Sequence, residues 1–238
     1  MIKPAFAALS IVLSAPLATF AAAPPPKLQQ QFSPLVKGFG TKQRETVKIL
    51  GGPTATKMLR GGSPGKVWQA SLGTSKFKIT IEDKLNLSVT DTLERLQRLP
   101  QPYRRALVIV SEDKKDGVAF YADLDGAAAH GSQDYLNLVR GADAVVIAHE
   151  SGHILEQRAT ATDPKTLENW KTAITADKIS VSNYGDQVAH EDLAEFAYVY
   201  AVCLDAGPRE LAKLKGLSPQ RFALWEKILN PATSGLSK

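Results

Sequence analysis

His149, Glu150 and His153, in the run Ala142 to Arg158, are the residues whose types and spacing carry chemistry. Residues four apart on an α-helix lie about 40° from each other around its axis, so the two imidazoles leave one face a turn apart, as two ligands of one ion must. Glu150 lies about 100° round from His149, beside the ion but off the ligand axis, where a general base for water belongs. Neutral imidazole binds Zn2+ well, three protein ligands leave a fourth position open, and the ion lowers the pKa of a water there toward ~7. Ala144 to Ala148 are apolar around the whole helix, which marks a buried segment. Two histidines and a glutamate directly after it would be costly to bury without partners.

A site of this kind needs a third ligand, and Glu168, Asp177, Asp186, His190, Glu191, Asp192 and Glu195 cover most downstream candidates. The strongest setting is Val188 to Ala206, a nearly all-round apolar helix with acids at its start. Glu191 and Glu195 share one face at a spacing of four, so one can ligate the metal while the other hydrogen-bonds a ligand histidine from behind. His190 is the rival ligand, about 100° off that face. Tyr184, in Ser182-Asn183-Tyr184-Gly185, sits in a turn whose Asn and Gly favour positive φ, and its phenol can donate to a developing oxyanion.

His149-Glu150-Ser151-Gly152-His153, then Tyr184-Gly185, then Glu191-Asp192-Leu193-Ala194-Glu195, resembles the catalytic domain of anthrax toxin lethal factor and its relatives, which include the secreted Pro-Pro endopeptidases. The family pattern is His-Glu-x-Gly-His, followed by a Tyr-Gly seven residues before a Glu that opens a Glu-x-x-Ala-Glu helix. The resemblance covers residues 142 to 200, and Asp192 and Leu193 stand where relatives carry aromatics. It implies a zincin-like fold in which His149, His153 and Glu191 bind one Zn2+ per chain. It further implies that Glu150 activates the water, Tyr184 faces the oxyanion and Glu195 supports a ligand histidine from behind.

The elements that must position these groups follow from pattern. Residues 77–81 alternate as a half-buried strand, 106–110 and 117–122 read as buried strands, and 134–140 as the last strand before the histidine helix. Residues 41–50 form a short helix or strand stopped by Gly51-Gly52-Pro53, and 61–65 form a loop. Thr90 or Asp91 caps a helix running to Leu99. Residues 126–132 form a loop rimming the cleft, with His130 solvated on it. Helices are expected from Pro164 to Ala176, over 188–206, and from Pro219 with Phe222, Trp225, Ile228 and Leu229 as core. Strands first and helices last give an α+β class: a small mixed or antiparallel sheet, then a helical half, with the active helix between them. A cleft under an edge strand, either 117–122 or 134–140, would add an extended peptide as a further strand, which favours a peptide or protein substrate.

Residues 1–21 read as a secretory signal: Lys3, a short apolar run, then small residues, too short for a membrane span. Residues 22–40, with three prolines and three glutamines, read as an extended tail, and 41–238 as a single metallopeptidase domain. Without the signal the net charge falls from +5 to +4, since Lys3 is its only charged residue. The basic residues are dispersed, which argues against a nucleic-acid partner. Cys203 is the only cysteine, so no internal disulfide forms and the thiol is expected in the core. The expectation is a secreted, monomeric zinc endopeptidase with no membrane span; the alternative is a catalytically silent metal-binding protein of the same fold.

Overall fold

The computed structural model describes residues 26–41, 46–112 and 115–231. The signal expected over residues 1–21 lies outside them. The described residues form a mixed six-stranded sheet and eight helices, an α+β architecture. The strands are β1 (Val47–Lys57), β2 (Pro64–Leu72), β3 (Ser75–Glu82), β4 (Val118–Tyr121), β5 (Ala129–Ser132) and β6 (Tyr135–Val139). They lie in the order β1-β2-β3-β4-β6-β5, with β3, β4 and β6 parallel and the outer pairings antiparallel.

The period of two along the strands sorts side chains to the two faces. Phe77, Ile79, Ile81, Val118, Phe120, Leu136 and Leu138 join the main core with the helices. Ala119 and Tyr121 point the other way, into a small cluster with Met58 and Leu124. The helices are α1 (Leu28–Val36), α2 (Val89–Leu96), α3 (Arg104–Ile109), α4 (Ala144–Thr162), α5 (Thr166–Asp177), α6 (Ala189–Ala206), α7 (Pro208–Leu217) and α8 (Pro219–Leu229). No helix among the described residues is long and apolar enough to cross a membrane.

Several expectations are corrected. Residues 106–110 are not a strand but the end of α3, fed by a 3₁₀ turn at Gln101–Tyr103; the apolar run buries Ala106, Leu107 and Ile109 as one helical face. Residues 28–36 are not an extended tail: α1 buries Leu28 and Phe32 in the main core. Gly51-Gly52-Pro53 does not stop β1, which runs through them with two register irregularities, as an edge strand can. Ser88, not Thr90 or Asp91, caps α2, accepting from the Asp91 N–H at 3.0 Å. The helix α7 starts at Pro208, between two segments read only as a stop and a restart. The edge strands are β1 and β5, so neither 117–122 nor 134–140 lies at an edge, and 129–132 of the expected loop is a strand.

Candidate metal centre

Two helices build the centre. Asp143 starts α4, its Oδ1 accepting the N–H groups of Val145 at 2.9 Å and Val146 at 3.0 Å. From that fixed start the helix turns His149 and His153 toward α6. The helices meet at Gly152, where a Cβ would lie 2.8 Å from the Ala197 Cβ and 3.1 Å from the Ala194 Cα. The glycine is therefore a close-approach residue, and the small Ala194 and Ala197 opposite it let α6 carry its carboxylates up to the imidazoles.

The approach brings three groups together. Ligand atoms of His149, His153 and Glu191 lie within 4.8 Å of one another. Glu191 Oε2 is 3.4 Å from Nε2 of each histidine, buried, and has no hydrogen-bond partner. A buried carboxylate oxygen without a donor is costly, and it faces the Nε2 atoms of two imidazoles. A cation shared by the three atoms resolves that deficit, so the residues fit a bound metal ion. Behind them, Glu195 Oε1 lies 3.0 Å from His149 Nδ1, which orients the ring and directs Nε2 inward.

The electrostatics agree. Burial disfavours a charged His149, but the Glu195 hydrogen bond and the charges of Glu150, Glu195 and Glu191 outweigh it and raise its pKa. Burial and the neighbouring His149 lower that of His153, keeping it neutral and able to ligate. Three carboxylates around two imidazoles leave an excess of negative charge that a divalent cation offsets.

Glu150 stands beside this group. Burial raises its pKa, as does the Glu191 carboxylate, while His149 and the Gly131 N–H pull the other way. Gly131 lies on β5, and a Cβ there would come within 2.5 Å of the Glu150 carbonyl oxygen and 2.8 Å of its Oε2. Only a glycine lets the strand pass this close to Glu150. The Val139 N–H donates to the Ala128 carbonyl at 3.1 Å, and the antiparallel register then turns the N–H and C=O of Ala129 and Gly131 away from β6, those of Gly131 toward Glu150.

Tyr184 also borders the site, 49% exposed, its ring centroid 6.2 Å from that of His149. Burial and the carboxylates of Glu191, Glu150 and Glu195 raise its pKa, so the phenol stays protonated and able to donate. The loop is not built on positive φ: neither Asn183 nor Gly185 adopts it. The Ser182 Oγ instead accepts the Gly185 N–H at 2.8 Å, and Gly185 packs against the Asp192 backbone.

The other candidates serve elsewhere. His190 is half exposed and stays outside the three-atom group, its Nε2 3.4 Å from the other Glu191 oxygen. Asp192 turns inward to the Trp170 indole at 2.8 Å and Arg221 at 3.2 Å, tying the start of α6 to α5 and α8. Asp177 accepts the Ser218 hydroxyl and two N–H groups of α8. Asp186 pairs with Lys27, and Glu168 lies in the first turn of α5. His130 is half-buried with Nδ1 3.4 Å from Arg60, away from the metal ligands. Pattern reading missed Tyr198 and Gln29, which border the site, and put Ala129 and Gly131 on its rim as a loop rather than a strand. Only the glycine between polar residues carried any signal, as a mark of close backbone approach.

Comparison of the chain with protein-family models, with curated proteins and with solved structures returns no match.

Proposed function

We propose that this chain is a secreted zinc-dependent endopeptidase with a zincin-like fold, related to the lethal factor catalytic domain that its motif order resembles. The observation that carries the reading is one constellation. His149, His153 and Glu191 converge on one point, Glu195 orients His149 from behind, and Glu150 and Tyr184 line the cleft beside His149.

A zinc ion held by His149, His153 and Glu191 would supply Lewis acidity toward the scissile carbonyl and would make a water nucleophilic near neutral pH. Glu150, its pKa raised by burial, takes the proton of the attacking water and returns it to the leaving amine. Tyr184 donates a hydrogen bond to the oxygen that gains charge as the carbonyl is attacked. The free edge of β5 favours a peptide substrate: the outward N–H and C=O of Ala129 can pair with an extended backbone alongside α4.

The test is zinc content of the purified protein together with cleavage of a mixed peptide library, for the natural chain and for Glu150→Gln. The expected result is about one zinc in both proteins, with cleavage in the natural chain alone. Cleavage surviving in Glu150→Gln would refute the assigned base. Zinc without any cleavage in either protein would leave a silent metal-binding protein.

A further inference from the structure

A cavity of about 940 Å³ opens on the face of the sheet turned away from the main core, a volume within the ~300–1,000 Å³ of small-molecule sites. Asn137 of β6 lines it. Leu136 and Leu138 on either side join the main core, so the alternation of the strand sends Asn137 to the opposite face. Asn137 is only 6% exposed, yet its carboxamide makes no hydrogen bond to any described residue. A buried amide is costly in that state unless something in the cavity supplies both a donor and an acceptor.

Two large apolar side chains that face solvent, Leu59 at 66% and Tyr135 at 42% exposed, border the same cavity. The loop that carries Leu59 is pinned to the sheet. Asp116 Oδ2 accepts the Leu59 N–H at 2.7 Å and the Tyr121 hydroxyl at 3.3 Å, and the Tyr121 oxygen accepts the Arg60 N–H at 3.3 Å. The charges on the rim are already engaged, Lys115 with Asp134 at 3.3 Å and Arg60 with Asp125.

We propose that this cavity is a carbohydrate site, in which a neutral sugar ring lays its C–H face against Tyr135 and Leu59 and pairs two adjacent hydroxyls with the Asn137 carboxamide. A hydroxyl both donates and accepts, so two neighbouring ones complement the C=O and NH2 of an amide. The C–H face of the ring buries favourably against the two apolar side chains. Its remaining hydroxyls meet the polar rim, where a flat heterocycle with one amide edge would present apolar atoms instead. An ionised ligand would have to break the pairs of Lys115 or Arg60 to be neutralised. The metal centre plays no part in this site.

The experiment titrates the full chain, with and without zinc, and follows the Asn137 amide resonance by NMR. The probes are glucose, galactose, mannose and N-acetylglucosamine, with glucuronate and protonated glucosamine as charged counterparts and benzamide as a flat amide. At least one neutral sugar should bind saturably with Kd on the order of 1 mM, independently of zinc, and the charged sugars about tenfold more weakly than glucose. Tyr135→Ala, at an exposed position, and Asn137→Leu, similar in size without the amide, should each weaken that binding about tenfold at unchanged Tm. Tyr135→Ala decides the matter if Asn137→Leu fails to fold. No saturable binding of any neutral sugar, binding untouched by Tyr135→Ala, or tighter binding of benzamide or glucuronate than of every neutral sugar would overturn the proposal. None of these results bears on the peptidase reading.

Discussion

The imidazole of His149 is held between two carboxylates of one helix, its Nδ1 3.0 Å from Glu195 Oε1 and its Nε2 3.4 Å from Glu191 Oε2. The two glutamates are one turn apart on α6, so the helix that supplies a ligand also fixes the tautomer of the histidine facing it. These two acids have different jobs, and substitution separates them. Glu191→Ala should abolish stoichiometric zinc binding, whereas Glu195→Gln should retain it with affinity lowered about 10- to 100-fold. Competition against a chelator of known affinity measures both.

Tyr184 reaches the same centre from a solvent-facing loop, its hydroxyl toward the Glu191 carboxylate. Tyr184→Phe should therefore leave Tm, zinc content and KM near their natural values. kcat should fall by about 10²-fold, the usual loss for one oxyanion donor. An equal rise in KM with kcat unchanged would assign the phenol to substrate binding instead.

Gly152 sets the spacing of α4 and α6. In Gly152→Val a side chain must enter a gap where even a Cβ would lie 2.8 Å from Ala197. The overpacking should cost about 3 kcal/mol, a fall of roughly 6–12 °C in Tm for a domain of this size. Zinc affinity should fall with it, because α6 cannot retreat without withdrawing Glu191. A variant with lower Tm and undiminished zinc affinity would contradict that coupling.

Asp186 and Lys27 clamp the start of α1 to the Tyr184 loop. Burial would raise the Asp186 pKa, but Lys27 and the Ser180 hydroxyl outweigh it and hold the carboxyl below its usual range. A folded pKa below the unfolded one gives stability that is present above the unfolded pKa and is lost as pH falls through the folded one. Amide exchange at Leu28 and Gln29 should thus be faster in Asp186→Asn than in the natural chain at pH 7. The difference should close as pH falls through the lowered Asp186 pKa, below which both side chains are neutral.

Cys203 is fully buried on α6, and burial pushes its thiol up to about 12. At pH 8 only on the order of one thiol in 10⁴ would be ionised, so thiol reagents should leave the native protein unmodified and react once it is denatured. Modification of the native chain at a rate typical of a free thiol would refute this placement.

The convergence of His149, His153 and Glu191 was legible because these residues obey helical spacing on two long apolar helices, and period and residue type together leave few arrangements. Short elements were not. The run at residues 106–110 is apolar throughout, and so short a run fits a buried strand and a buried helix equally until the Pro102 turn and the packing on β3 decide. The four residues of β5, Ala-His-Gly-Ser, have no apolar alternation, because one side of the strand faces α4 and its glycine is needed against Glu150. Gln29 had no local signal at all. Its place in the cleft comes from backbone pairing between residues 28–29 and 180–181, a tertiary fact that no window of sequence contains.

That pairing also orders the assembly of the molecule. The candidate metal ligands belong to α4 and α6, a single helical pair close in sequence, whereas α1 must wait for residues 180 and 181 before its first turn has anything to join. A nascent chain therefore carries α1 unplaced through the synthesis of the whole sheet. It completes the wall at Gln29 only when the segment leading into α6 emerges, so the ion-binding pair and the last wall of the cleft close in the same late stage of folding.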